Sequence, residues 1–260
     1  MSSKHSTVLI SGGASGIGRN IAETYLSAGS AVHICDISDA MIDEFIAANP
    51  AATATQADIS NVTDVDRVFD DFLKLHDGLS ILINNAGIAG PVATVDDIDP
   101  ADWDRCIAVD LSSAFYMTRR ATPLLRAAGG GSIVNIASTA GLFGVPMRSP
   151  YAASKWGLIG LTKTWAMELG PDNIRVNAVC PGCVSGPRID GVIKSHAENR
   201  RIPPAEVRDA YLRQSSMRTF VTPDDVSAVV LFLTSEKAAR MSGQAIAVDG
   251  HTETLSNWLD

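Results

Sequence analysis

Cysteine, basic residues and long apolar runs are all scarce in this chain, and each scarcity removes a class of protein. Four cysteines in 260 residues cannot form a disulfide framework. Lys and Arg number 21 against 29 Asp and Glu, a formal net charge of −8. That balance argues against a nucleic-acid groove or an anionic membrane surface, both of which need clustered cations. No apolar run approaches the roughly 18–20 residues of a membrane span, and the segment Met1–Ser6 lacks the apolar stretch of a signal peptide. The expectation is a cytoplasmic protein that binds neither nucleic acid nor membrane. Charged residues make up only 19% of the chain and hydrophobic ones 46%, so there is ample material for a core, in one large domain or two small ones.

Cys35 and Cys106 stand alone, whereas Cys180 and Cys183 form a Cys-Pro-Gly-Cys pair. Such a pair can be a redox dithiol or half of a zinc site, but no second pair or His-rich tract completes four ligands. The plain reading, two small apolar residues at a strand end with no metal, is preferred.

Short β-branched runs alternate with longer helical patterns. The runs are Thr7–Ser11, Ala31–Cys35, Thr53–Ala57, Ser80–Asn84, Ser132–Ala137, Arg175–Val179 and Gln244–Val248. Helices are predicted over Ile17–Ala28 and Val62–His76 from apolar residues at helical spacing. This alternation predicts an α/β fold, a single doubly wound domain over residues 1–260 with a parallel sheet covered on both faces. Gly186–Phe220 interrupts the rhythm and is too long for an ordinary connection, so a substrate lid with short helices of its own is expected over about residues 186–220.

The first predicted strand runs into Ser11-Gly12-Gly13-Ala14-Ser15-Gly16-Ile17-Gly18 and then a helix. Glycines there let the backbone turn tightly and approach a pyrophosphate, which the free N–H groups of the helix start attract. Twenty residues after Gly16, Asp36 ends the second strand, where a carboxylate can accept hydrogen bonds from a ribose diol. The same charge repels a 2′-phosphate and no Arg adjoins it, so the cofactor expected is NAD rather than NADP. The alternative for Asp36 is a helix N-cap, a task for which Ser38 or Asp39 is better placed.

Tyr151 and Lys155 lie four residues apart on a predicted helix, hence on one face. A phenol is a poor base at neutral pH, and a neighbouring ammonium favours its phenolate. Ser138, at the end of the strand Ser132–Ala137, can bring a hydroxyl to the same place and hold a substrate oxygen.

Taken in order, Ser11-Gly12 with Gly16 and Gly18, Asn84-Asn85-Ala86-Gly87, Ser138, Tyr151-x-x-x-Lys155 and Pro181-Gly182 closely resemble the short-chain dehydrogenase/reductase family, over practically the whole chain. The resemblance implies a Rossmann-like domain with a seven-stranded parallel sheet flanked by helices. It implies Tyr151 as catalytic acid/base, Ser138 as the residue orienting the substrate oxygen, and Lys155 as the cation that favours the phenolate and holds the nicotinamide ribose. Gly12, Ser15, Gly16, Ile17 and Gly18 match the pyrophosphate turn. Asp58 and Ile59 match positions that bind adenine; Asn85, with Ala86 and Gly87, lies beside the adenosine ribose; and Pro181, Gly182 and Val184 resemble the stretch that grips the carboxamide. Members carry Asn where this chain has Asp110, at a water-holding position in a proton relay, and Asp110 is carried over as a catalytic candidate. A homotetramer built on the helix of Tyr151 and the preceding helix Trp103–Ala127 is also implied, with Trp156 and Trp165 serving as packing or subunit-contact residues.

From Arg188 to Arg218 seven cations face four carboxylates, a net +3 that leaves −11 for the rest. A cationic lid can concentrate an anionic substrate and clamp it through an Arg fork, with Arg188 and Arg148 the strongest candidates; the alternative is solvated faces of small helices. His251 is either a substrate contact or an ordinary surface residue. The reaction expected is NAD-dependent oxidation of a secondary alcohol or sugar hydroxyl on a small polar substrate, anionic or neutral. Two alternatives stand beside it, a ketoreductase like the 3-oxoacyl-carrier-protein reductases and a non-catalytic NAD-binding protein.

Overall fold

The structure, a computed structural model, describes Ser6–Thr254. Seven strands, β1 (Thr7–Ser11), β2 (Ala31–Asp36), β3 (Thr53–Gln56), β4 (Ile81–Asn84), β5 (Gly131–Ile136), β6 (Ile174–Pro181) and β7 (Ala245–Val248), form one sheet. Every neighbouring pair is parallel and the order is β3-β2-β1-β4-β5-β6-β7. The predicted strands match to within a few residues at their ends. Chain direction across the sheet reverses between β1 and β4, and in open α/β sheets the crevice at such a switch point, beyond the strands' carboxyl ends, receives ligands.

Helices α1 (Gly16–Ser27), α2 (Asp39–Ala48) and α3 (Val62–Leu75) are followed by α4 (Pro100–Ile107), α5 (Ser113–Ala127) and α6 (Ser149–Leu169). Alternate residues of β1 explain the layering. Val8 and Ile10 enter one core with Ile21 and Tyr25 of α1, whereas Leu9 enters the opposite core with Phe69 and Phe72 of α3 and Met117 of α5. β1 is thus apolar on both faces. Asn61 and Asp99 cap α3 and α4 by accepting from the backbone N–H of Thr63 and Ala101.

The long helix expected over Trp103–Ala127 is broken by a π turn at Ala108–Ser112, which joins α4 to α5 and carries Asp110. Such turns insert one residue and re-aim the side chains they bear. Gly186–Phe220 contains α7 (Pro187–Arg200) and α8 (Pro204–Arg213), packed around Val192, Ile193, Val207 and Tyr211. Its base is pinned where Ser185 N–H donates to the Val221 carbonyl (2.9 Å) and Val221 N–H to the Cys183 carbonyl (3.0 Å). Helix α9 (Pro223–Thr234) follows and packs against α1. Among the described residues no helix is long and apolar enough to cross a membrane.

Candidate active site

A cleft of about 600 Å³ opens at the carboxyl ends of the strands around the switch point. Gly12, Ser15, Gly16 and Ile17 form its floor. Gly12 has φ +62°, and a Cβ there would stand 2.8 Å from the Ala86 Cα. Gly16, with φ +54°, faces open space, so the backbone itself is the wall a ligand meets. The Ser15 side chain makes no cap bond to α1, which leaves its hydroxyl and the first N–H groups of the helix turned to the cleft. Gly18 is not on the wall: a Cβ would lie 2.0 Å from the Gly12 carbonyl oxygen, so its place is the close packing of helix on turn. Asn85 clamps the turn, its amide donating to the carbonyls of Ser11 (3.1 Å) and Gly12 (2.9 Å), while Ser11 Oγ accepts from Asn85 and Ala86 N–H.

At one end of the cleft two carboxylates are held in place by the protein. Asp36 accepts from the backbone N–H of Ala14 (3.2 Å) and Ser38 (3.3 Å), and Ser38 is the residue that caps α2. Asp58 accepts from Ser60 Oγ (2.6 Å) and from Arg105 Nη1 (3.0 Å). Burial works against its ionisation, but the Ser60 hydrogen bonds and the Arg105 ion pair outweigh it and hold the carboxyl below its ordinary range. Ile59, Ala86 and Gly87 line the same wall.

The other end gathers Ser138, Tyr151, Lys155, Pro181, Gly182 and Val184. Lys155 Nζ stands 5.6 Å from the Tyr151 ring centre and donates to the Ile136 carbonyl (3.1 Å). Ser138 follows β5 directly, its Oγ accepting from Ala140 N–H (3.1 Å). Asp110 sits behind this wall, only 2% exposed. Its Oδ1 accepts from Ile88 N–H (2.6 Å), and Oδ2, which has no hydrogen-bond partner, lies 3.9 Å from Lys155 Nζ. Burial pushes the Asp110 carboxyl up, against the opposing pull of Lys155, the Ile88 N–H, Arg188 and Arg148.

Two further cations reach Tyr151. The Arg148 guanidinium carbon is 4.7 Å from the ring centre and that of Arg188 is 6.0 Å. Arg148 precedes α6, is 6% exposed, and donates through Nη2 to the Ala89 carbonyl (2.7 Å). Its Nε is buried without a partner. Most other cations of Gly186–Phe220 lie on solvated faces: Arg208 pairs with Asp190, Lys194 with Glu198, and Arg213 with Asp209. Arg188 alone among the seven lines the cleft.

The structure does not bring His251 to this site. Asp249 Oδ1 accepts its backbone N–H (3.0 Å) in a turn with φ +68°, and the exposed ring meets Ser216 Oγ (2.7 Å) instead. Burial pushes the thiols of Cys180 and Cys183 up to about 11 and about 12, so neither is a ready thiolate. Sequence reading missed Arg105, which lines the cleft across 47 residues from its partner Asp58 and left no local signal. It also missed Tyr211, whose spacing from Val207 on α8 would have marked it as inward-facing.

Comparison with known proteins agrees with this geometry. The profile of the family described as enoyl-(acyl carrier protein) reductase matches residues 12–251. The chain is 35% identical over 246 residues to the 3-oxoacyl-[acyl-carrier-protein] reductase FabG of Thermotoga maritima, covering 93% of this chain and 95% of that one. It is 34% identical to the D-beta-hydroxybutyrate dehydrogenase of Cupriavidus necator, covering 94% and 96%. The crystal structure of NAD+-bound xylitol dehydrogenase superposes with a TM-score of 0.90 at 26% identity, covering 95% of this chain and 98% of the other.

Proposed function

Because the chain belongs to the short-chain dehydrogenase/reductase family of oxidoreductases acting on CH–OH groups, we propose that it is an NAD-dependent dehydrogenase of a small polar secondary alcohol or sugar hydroxyl. The observation that carries this reading is one cleft with a backbone-held carboxylate, Asp36, at one end and Ser138, Tyr151 and Lys155 at the other. The residues fit the dinucleotide: Gly16 leaves backbone open where a pyrophosphate would lie, and Asp36 is held ready to accept from a ribose diol. A 2′-phosphate would meet that carboxylate, and Arg105, the nearby cation on the wall, is already paired with Asp58. The NAD+-bound xylitol dehydrogenase that the chain resembles supports the same choice.

NAD, when bound, supplies the hydride acceptor. The chain's own residues manage the proton and the oxygen. Tyr151 takes the hydroxyl proton of the substrate as that oxygen becomes a carbonyl, and the Ser138 hydroxyl donates to the same oxygen. Lys155, nearly buried and fixed on the Ile136 carbonyl, favours the phenolate and is placed to hold the cofactor's ribose. Asp110 stands behind Lys155 as a proton-holding group. The segment Gly186–Phe220 serves as the lid.

The likeness to a 3-oxoacyl-[acyl-carrier-protein] reductase favours a second reading, reduction of a ketone on a carried acyl chain. Asp36 counts against it because reductive biosynthesis commonly draws on NADPH. A screen of alcohols, sugars and hydroxy acids with NAD and NADP, followed by absorbance of the reduced cofactor, decides between them. NADH from a free alcohol is expected; activity confined to NADPH and 3-oxoacyl thioesters would replace the first reading with the second. Exposed Trp103, Phe115 and Trp156, on α4, α5 and α6, support assembly as a homotetramer, measurable by light scattering.

A further inference from the structure

Resting on the dehydrogenase reading of the cleft, we propose that its reacting end contains an oxyanion subsite formed by Arg148 and Arg188, and that the substrate is a short secondary alcohol bearing a carboxylate or sulfonate. Charge is segregated along the cleft. The carboxylates that line it, Asp36 and Asp58, are at the adenosine end, where backbone N–H groups, Ser60 and Arg105 hold them. Lys155, Arg148 and Arg188 stand at the other end, all within 6.0 Å of the Tyr151 ring centre.

One carboxylate cannot balance three cations. Asp110 lies behind Lys155, its Oδ1 is committed to the Ile88 N–H, and its Oδ2 faces Lys155 Nζ at 3.9 Å. Among the described residues neither arginine has an ion-pair partner; Arg200, Arg201 and Arg218 also lack one, but of these five only Arg148 and Arg188 line the cleft. Arg148 is the more telling of the two. It is 6% exposed, one donor is spent on the Ala89 carbonyl, and its Nε has no partner at all. A buried guanidinium with an idle donor is costly unless an acceptor completes it, and the face of a phenol supplies only part of that compensation. A planar or tetrahedral oxyanion matches the guanidinium fork.

The two arginines differ in mounting. Arg148 is fixed, since it sits at the start of α6, three residues before Tyr151, and grips the segment after β4 through Ala89. Arg188 is the second residue of α7 and belongs to the lid. An anion held by both would tie α7 to α6 across Tyr151 and set the hydroxyl carbon of a short substrate beside the phenol. If instead the arginines served only to favour the phenolate, neutral and anionic alcohols would be handled alike.

The test uses the NADH-loaded protein and inert probes, butanoate and propanesulfonate against butanamide, titrated calorimetrically. Butanoate or propanesulfonate is expected to bind at least about tenfold tighter than butanamide, as one charge-assisted fork implies. That margin is expected to fall to about threefold or less in Arg188→Gln and to lie between in Arg188→Lys, which keeps the charge but loses the fork. Arg148→Lys, compared only after its melting temperature shows it folded, is expected to lower the margin in the same way. Tighter binding of the sulfonate or of the carboxylate says which anion the substrate carries. Equal binding of amide and anion, or an unchanged margin in Arg188→Gln, overturns the subsite. Turnover of four- and five-carbon hydroxy acids against their methyl esters separates the two claims. NADH formed equally from acids and esters leaves the dehydrogenase standing and removes the subsite. Anion binding that depends on Arg188, with no NADH from any alcohol, keeps the subsite and removes the dehydrogenase.

Discussion

The two ends of the cleft are built on different terms. At the end that holds Asp36 the side chains have protein partners: Asp36 two backbone N–H groups, Asp58 Ser60 and Arg105, and the glycine turn the Asn85 amide. Beside Tyr151 and behind it several buried polar atoms lack a hydrogen bond, namely Asp110 Oδ2, Arg148 Nε and both ring nitrogens of His196 in α7; others, such as Asn84 Oδ1 and Ser132 Oγ, lie within the sheet. Buried groups are normally satisfied, and the idle ones beside Tyr151 are those the proposed oxyanion would complete.

The largest expected effect breaks the reacting end alone. Tyr151→Phe should lower NADH production by about a thousandfold, within the usual range for loss of a general acid/base, while NAD affinity changes by no more than a few-fold. Stopped-flow turnover and calorimetric NAD binding measure the two. A parallel loss of both would show that the ends are not separable. The converse experiment alters the adenosine end: Asp36→Ala with Ile37→Arg removes the repelling charge and supplies a partner for a 2′-phosphate. Ile37 is exposed beside the cleft, so the new side chain has room. The NAD to NADP ratio of kcat/KM should shift towards NADP by about a hundredfold or more; unaltered NAD selectivity would remove Asp36 from cofactor choice.

A smaller effect tests the incomplete end. Asp110→Asn keeps an acceptor for the Ile88 N–H but deletes a carboxyl that burial has pushed up. To the extent that Asp110 is ionised it disfavours the phenolate, so its replacement should move the ascending limb of the pH profile for oxidation to lower pH, and because the family carries Asn at this position turnover should change by no more than a few-fold. An Asp110→Ala protein with the wild-type rate and profile would make Asp110 an ordinary residue of its helix.

How much of this could be read beforehand follows from sequence distance. The glycine turn, the end of β2 and the Tyr151–Lys155 pair are local, set by a few residues and a helix or strand period, and they were legible. Arg148 belongs to the same local set, three residues before Tyr151. Arg188 reaches Tyr151 only because α7 folds back over the cleft, and the pairing of Arg105 with Asp58 crosses from α4 to the end of β3. No periodicity encodes such contacts. The π turn that re-aims Asp110 is likewise silent in composition, since one inserted residue leaves the helical pattern on either side intact. Of the two readings open for His251 the geometry favours the surface one, because Asp249 closes a turn in a left-handed conformation that non-glycine residues seldom adopt.

The smallest expected effect compares two buried histidines, one in each region. His33 of β2 is hydrogen-bonded to Thr53 Oγ1 (2.7 Å) and Thr55 Oγ1 (3.2 Å); His196 of α7, beside Tyr211, has no partner among the described residues. Burial pushes both down to about 4, helped by His76 in the first case and by Arg148 and Arg200 in the second. Both are therefore neutral in the folded protein but titrate near 6.5 when unfolded, so the unfolded chain takes up protons first. Their contribution to stability is complete above about pH 6.5 and is lost as the pH falls towards 4, up to about 3 kcal/mol for each. The comparison is sharpened by substitution. His33→Leu removes one partner from each of two threonine hydroxyls, which keep His76 and Asp71, and should cost about 1 kcal/mol at pH 7.5, whereas His196→Leu removes two idle polar atoms and should be neutral or stabilising by about 1 kcal/mol. Either change should also flatten the acid limb of stability, measured by urea unfolding between pH 7.5 and 5. Equal losses at pH 7.5 would mean that His196 is as well satisfied as His33, and that the polar atoms of the lid are not left waiting for a ligand.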